Sequence, residues 1–357
     1  MLYVCYSIND FYAREAGISL LSFLENNPGY EPDEVFFIDY GIFPANKERI
    51  SSIAAHYGKR VTYLNGKPVT AAVKRQFPHY QPWKGSMAAN AKPFIDKIMP
   101  EYVERLLYID ADTIVARSVD ELQRLEMGDA VVAGTISNTE SYSLQLGNYQ
   151  LYSGNKIYMG SGVLLFDLKN WRRENIYSRM LDVLSKKKHL RLPDQTLINN
   201  AIPQRLMKVL PEKFNYVTHY YHPWTEFHFM TDFGIHTPEE CREAIDHPVV
   251  IHYLTGWIQA RPWHKGCVSR RKKEYFHYKA LSPWKDAPLC PSIRKMDPPK
   301  TLQDKLDRFF FSLFLKPVPY RVAMFFWDQW GQYKDKRNKK PNNGSRYNEG
   351  IEEIDNQ

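Results

Sequence analysis

The stretch Leu106-Leu107-Tyr108-Ile109-Asp110-Ala111-Asp112-Thr113 constrains this chain more than any other. Four largely apolar residues run straight into two carboxylates one residue apart. In an extended segment successive side chains alternate faces, so Asp110 and Asp112 are expected to point the same way. The apolar run reads as a strand buried on both faces, as in a sheet covered by helices. Ligands of open α/β sheets gather beyond the carboxyl ends of the strands. Two carboxylates there suit a hard divalent cation, Mn²⁺ or Mg²⁺. A tripeptide of this kind arises about once by chance in a chain this rich in aspartate, and solvated strand-end carboxylates would explain it as well. The surrounding residues have to decide.

Upstream, Leu2 to Tyr6 reads as a first strand, and Ser7 to Tyr12 as a turn into a helix carrying Ile18, Leu21 and Leu24. Asn26-Asn27-Pro28-Gly29 stops that helix. Residues 34–39 form a second strand, 44–57 a helix and 60–64 a third strand. This alternation predicts a parallel sheet with helices on both faces. No G-x-G-x-x-G and no P-loop occurs, so neither a dinucleotide fold nor a P-loop ATPase is indicated. Lys92 to Met99 reads as a helix ended by Pro100, and residues 131–134 as a buried strand. Residues 137–156 read as a surface loop.

Gly160-Ser161-Gly162 opens the next strand through small residues, which permits close backbone approach to a ligand. A helix is expected over 170–184. Another starts near Leu192, with Asp194 at a favourable capping position. The last core strand, 249–253, carries His252, a residue type that is more often a hydrogen-bonded structural group than a ligand at such a place. A loop with Gly256 and Arg261 follows.

The net charge of +8 points to an anionic partner: a nucleotide, a phosphorylated glycan or an acidic membrane. The four cysteines are scattered without metal spacing and read as free thiols of a reducing compartment. The N-terminus shows no secretory signal, and no apolar run reaches the ~20 residues that span a bilayer. The expected organisation is a catalytic domain over 1–285, a Pro-rich linker over 286–300, an amphipathic aromatic and basic tail over 301–333, and a polar, disordered segment over 334–357. In the tail, Leu302, Leu306, Phe309, Phe310 and Leu313 recur at helical spacing, and basic residues follow at 334–340. That pattern favours an anionic membrane interface, although helices covering the protein's own core would show it too.

An ordered set of short motifs now stands out: Ser7-x-Asn9-Asp10-x-Tyr12, Ser22-x-Leu24-Glu25-Asn26, Leu107-Tyr108-Ile109-Asp110-Ala111-Asp112, Ser161-Gly162-Val163-Leu164-Leu165, Leu168-x-x-Trp171-Arg172, Asp194-Gln195, Phe214-Asn215 and His252-Tyr253 with Arg261-Pro262-Trp263-His264. Over about residues 2–285 this set resembles glycosyltransferase family eight, and within it the bacterial lipopolysaccharide and lipooligosaccharide galactosyl- and glucosyltransferase branch. The resemblance implies a single-domain GT-A fold, α/β with a mainly parallel central sheet, and a retaining transfer of hexose from a UDP-sugar to a glycan.

Position by position, it implies Ser7 and Asn9 at the uracil end of the donor, with Asp10 and Tyr12 in the same donor-binding turn. Asp110, Asp112 and His252 would be ligands of Mn²⁺ (or Mg²⁺), with Ala111 between the carboxylates against the donor. Lys92 would meet donor sugar and phosphate, and Gly160 and Ser161 would line the sugar. Gly256 and Arg261 would grip the diphosphate, and Asp194 and Gln195 would stand beside the reacting carbon. Gly160 stands where the family carries Asn, Phe11 where it carries Asn, and Arg261 where it carries Lys. The implied location is cytoplasmic, on the inner face of the membrane, with a lipid-linked glycan as acceptor and no nucleic acid. Two other readings compete. One is a non-catalytic nucleotide-sugar-binding protein of the same fold. The other is a metal-dependent phosphohydrolase using Asp110 and Asp112, against which no downstream acidic pair is found.

Overall fold

The computed structural model describes residues 1–83, 85–145, 150–188, 190, 192–221, 235–254, 261–292 and 301–313, together with 322, 325, 326, 329, 330 and 333. Its strands include β1 (Tyr3–Ile8), β2 (Glu34–Asp39), β3 (Arg60–Asn65), β4 (Arg105–Ile109), β5 (Thr113–Val115), β6 (Val132–Ile136), β7 (Met159–Asp167) and β8 (Met207–Val209). Seven of them form one sheet in the order β3-β2-β1-β4-β7-β6-β8. Strands β3, β2, β1 and β4 pair in parallel, as does β8 with β6. Strand β7 alone runs against both of its neighbours. The sheet is therefore mainly parallel, as expected, with one reversal.

That reversal places the site. Because β7 is antiparallel to β4, it starts where β4 ends: Val163 pairs with Ile109, and the Asp110 N–H donates to the Gly162 carbonyl at 2.8 Å. The small residues Gly160 to Gly162 thus arrive beside the carboxylates.

The helices include α1 (Ala13–Asn26), α2 (Pro44–His56), α3 (Lys67–Gln76), α4 (Asp120–Arg124), α5 (Asn138–Gln145), α6 (Leu168–Arg173), α7 (Ile176–Lys186) and α8 (Pro193–Ala201). Helix α1 explains the Ser22-to-Asn26 motif. Ser22 Oγ accepts from Val115 N at 2.9 Å, and Asn26 Nδ2 donates to Val115 O at 3.0 Å. Ser19 Oγ meets Thr113 Oγ1 at 2.8 Å, and Thr113 Oγ1 donates to Asp110 O at 2.9 Å. A buried polar group must be hydrogen-bonded. Here those bonds fasten β5, and with it the turn that carries both carboxylates. Strand β5 also pairs antiparallel with the strand Val250–His252, setting His252 opposite Thr113.

Three local expectations change. Residues 92–99 are not a regular helix: a 3₁₀ stretch spans Ala89–Lys97, with Pro93 inside it and Phe94 off helical geometry. Proline removes a helical donor and crowds the preceding turn. The helix expected over 170–184 breaks into α6 and α7 at Asn175, which adopts a left-handed conformation (φ 49°). The surface loop expected over 137–156 contains α5.

The chain divides into two compact units. The first comprises 1–216, 237–252 and 274–287 and holds the large sheet. Its core includes Trp171 set edge-on to Phe166, with centroids 5.3 Å apart. The second comprises 217–236, 253–273 and 288–357. Within it lies the helix Leu302–Ser312, with Leu302 and Phe309 exposed, and Phe310 stacked on Trp330 at 5.3 Å. Val322, Phe325 and Phe326 are exposed as well. Most of the expected 301–333 tail beyond residue 313, and the whole expected polar segment 334–357, lie outside the described residues. No helix among the described residues is long and apolar enough to cross a membrane. All four cysteines are free.

Candidate active site

Asp110 and Asp112 do not lie in an extended strand. β4 ends at Ile109, and Ala111 and Asp112 form the turn into β5. They converge nonetheless, because the turn is clamped by α1 and by β7. With His252, each contributes one ligand atom to a group whose atoms all lie within 4.8 Å of one another. Ligands about 2.1 Å from a common octahedral centre stand at most about 4.2 Å apart, so small side-chain rotations suffice to close this set on a cation. Two carboxylate oxygens and an imidazole nitrogen would suit Mn²⁺ better than Ca²⁺, a hard cation that takes oxygen ligands. His252 Nε2 lies 3.1 Å from Asp112 Oδ1, and its Nδ1 lies 2.9 Å from Asn215 Oδ1.

A second cluster adjoins the first. Lys92, almost wholly buried, extends its ammonium 2.8 Å from Asp194 Oδ2 and 3.1 Å from Asp110 Oδ1. It also donates to Ser161 O at 3.1 Å and stands over the Tyr108 ring. Burial alone would lower the pKa of this ammonium, but the Asp110 and Asp194 carboxylates outweigh burial and hold it above the ordinary range. Lys92 is thus a permanent positive charge between the two acidic groups. Burial raises the Asp110 carboxyl, Lys92 pulls it back and Asp112 raises it again, with a net upward shift. A dication beside Asp110 would favour its ionised form.

Asp194 is not a helix cap. The cap of α8 is Leu192, with no side-chain hydrogen bond, and Asp194 lies inside the first turn. Its Oδ2 accepts instead from Ser161 Oγ at 2.9 Å and from Lys92. Gln195 Oε1 accepts from Ser161 N at 3.1 Å. Ser161 therefore holds both members of the Asp194-Gln195 pair.

The glycines separate sharply. A Cβ on Gly162 would stand 2.3 Å from His252 Cε1, so only glycine admits the imidazole there. A Cβ on Gly160 would meet nothing closer than 3.6 Å, so that position has room for a side chain.

The other expected donor residues are placed as follows. Ser7 Oγ donates to Ala88 O at 2.7 Å, joining β1 to the segment before Lys92. Asn9 lines a cavity of about 330 Å³ with Tyr40, Lys67, Ser86 and Met87, past the ends of β1 to β3. The Asp10 carboxylate is engaged by Phe43 N at 2.7 Å and Asn46 Nδ2 at 2.9 Å, at the start of α2. Tyr12 is half-buried, edge-on to exposed Phe11. Arg261 belongs to the second unit, where its Nε donates to Tyr253 O at 3.0 Å and its guanidinium stands over Trp263. Gly256 lies outside the described residues. Sequence reasoning assigned no role to Thr135 or Asn215, and it missed the hydrogen bond from Tyr108 to Asp110. A glycine inside a strand run was the one signal that a side chain packs against Gly162.

The open, mainly parallel α/β sheet gathers two carboxylates and an imidazole past its strand ends, beside a Lys–Asp pair, and the fold is of the expected GT-A class. The sequence model of glycosyl transferase family 8 matches residues 3–267, and the chain belongs to that family. It is 26% identical over 296 residues to a lipopolysaccharide 1,2-glucosyltransferase of Escherichia coli, spanning 82% of each chain. It is 23% identical over 287 residues to general stress protein A of Bacillus subtilis (strain 168), spanning 80% of this chain and 95% of that one. Its fold is similar to that of the galactosyltransferase LgtC, solved in complex with donor and acceptor sugar analogues. The TM-score is 0.62 and the identity 20%, over 79% of this chain and 96% of LgtC.

Proposed function

We propose that this glycosyltransferase moves a hexose, galactose or glucose, from a UDP-sugar to a sugar hydroxyl of lipopolysaccharide, lipooligosaccharide or another surface glycan, with retention of configuration. The observation that supports it most is the convergence of Asp110, Asp112 and His252 beside the Lys92–Asp194 pair. As the glycosidic bond breaks, negative charge grows on the UDP leaving group. Asp110, Asp112 and His252 would hold a divalent cation, which would supply Lewis-acid stabilisation of that charge. The chain's own part is fixed electrostatics. Lys92 sets a buried positive charge at the donor side, already oriented before substrate binds. Asp194, held by Lys92 and Ser161, presents its carboxylate to the reacting carbon, and Gln195 stands next to it. Ser7 and Asn9 bind the uracil end, Asn9 from the cavity past β1. The catalytic domain takes in residues 1–285.

The test needs no acceptor. UDP-Gal, UDP-Glc and UDP-GlcNAc are incubated with the protein, with Mn²⁺ and with EDTA, and released UDP is measured. One UDP-hexose is expected to be hydrolysed in Mn²⁺ alone. Equal rates in EDTA, or no release from any donor together with no uptake of UDP, would count against the reading.

The exposed Leu302, Phe309, Val322, Phe325 and Phe326, with the basic run at 334–340, support peripheral docking on an anionic leaflet where a lipid-linked acceptor would lie. The full chain is expected to co-sediment with vesicles containing anionic lipid at low salt, and to be released as salt rises. Equal sedimentation with zwitterionic vesicles, or none with either, would remove the membrane from the proposal.

A further inference from the structure

We propose that Asn215, tethered by Thr135, is the positioning residue that fixes the His252 imidazole in the tautomer a divalent cation requires. This rests on the reading of Asp110, Asp112 and His252 as cation ligands. An imidazole binds a cation through an unprotonated ring nitrogen, and its proton then sits on the other nitrogen. In His252 the nitrogen inside the cluster is Nε2, 3.1 Å from Asp112 Oδ1. The other nitrogen, Nδ1, is 2.9 Å from Asn215 Oδ1. An amide oxygen can only accept, so it keeps the proton on Nδ1 and leaves the Nε2 lone pair to the cation.

The amide is itself oriented. Asn215 Nδ2 donates to Thr135 Oγ1 at 3.2 Å, which turns Oδ1 toward the imidazole. The three side chains come from three elements: Thr135 from β6, Asn215 from the 3₁₀ turn Glu212–Asn215, and His252 from the strand Val250–His252. Their relative exposures are 2%, 4% and 3%, so bulk water does not stand in for a lost partner. Gly162 lies against the same ring, with room for no Cβ. The imidazole is thus bounded by Gly162, by the Asn215 oxygen on one nitrogen and by the cation ligands on the other.

Partners that orient a ligating histidine contribute about 10–100-fold in metal affinity. The experiment is a Mn²⁺ titration of the full chain, followed by electron paramagnetic resonance and calorimetry, with melting temperature measured in parallel. The variants are N215A, N215D, T135V, H252A and the pair N215A/H252A. N215A is expected to bind Mn²⁺ about 10–100-fold more weakly. N215D keeps an acceptor oxygen on Nδ1 and is expected to stay within a few-fold of the natural protein. T135V should fall between them. In the H252A background, N215A should add nothing, because its effect runs through the imidazole.

Unchanged affinity in N215A overturns the proposal. So does a loss in N215D as large as in N215A, or an N215A loss that persists undiminished without His252. Should N215A not fold, a T135V protein that folds and binds as tightly as the natural one overturns it equally. A natural protein that takes up no Mn²⁺ would instead remove the cation reading beneath it.

Discussion

Asp112→Ala is expected to abolish Mn²⁺ uptake and to lower transfer by about a thousandfold or more, on the order of 4 kcal/mol of transition-state stabilisation. Asp112 is buried, shares Nε2 of His252 at 3.1 Å, and offers one of the three ligand atoms of the cluster. Asp110→Ala should cost as much activity and, in addition, stability. Its carboxylate is half of the charge balance around buried Lys92, which would be left with Asp194 alone. Removing one partner of a buried ion pair costs about 3–5 kcal/mol when nothing replaces it, and the remaining carboxylate reduces that figure here. Calorimetric Mn²⁺ binding, initial rates and melting curves on both variants separate the two roles. Full activity in EDTA, or in either variant, would refute the metal site.

The second large effect belongs to Asp194. Asp194→Ala is expected to lower kcat by about two to three orders of magnitude while UDP affinity stays nearly the same, since on the proposed reading the carboxylate meets the sugar and not the nucleotide. A capping role would instead predict a loss of about 1 kcal/mol of stability with near-normal kcat. The structure removes the ground for that second outcome: α8 is capped at Leu192 without a side-chain bond, and Asp194 points to Lys92 and Ser161. Asp194→Asn refines the test, because it keeps the shape and an acceptor for Ser161 but loses the charge. If the Asn variant retains kcat and only its melting temperature falls, Asp194 is structural and the assignment fails.

Local pattern carried much of this fold on its own. The apolar runs of β1, β2, β4 and β7 were readable because a strand buried on both faces must be apolar throughout. The Pro-Gly stop after α1 was readable because those residues cannot continue a helix. The misread segments were those where local rules compete. Pro93 sits inside an otherwise helical run, Asn175 takes a conformation most residues avoid, and Asp194 satisfies the composition of a cap without forming one.

The chain's own residue types therefore determined the α/β class, the carboxylate pair and the candidate imidazole. Tertiary structure alone decided how they meet. His252 reaches Asp112 across 140 positions, and Lys92 reaches Ser161 across 69. The single reversed strand β7 brings Gly162 and Ser161 to the end of β4, and the path through β6 brings Thr135 to Asn215. Alternation and periodicity describe neighbours within one element. Which element ends lie together depends on strand order and direction, and these follow from the packing of the whole core and not from any one segment.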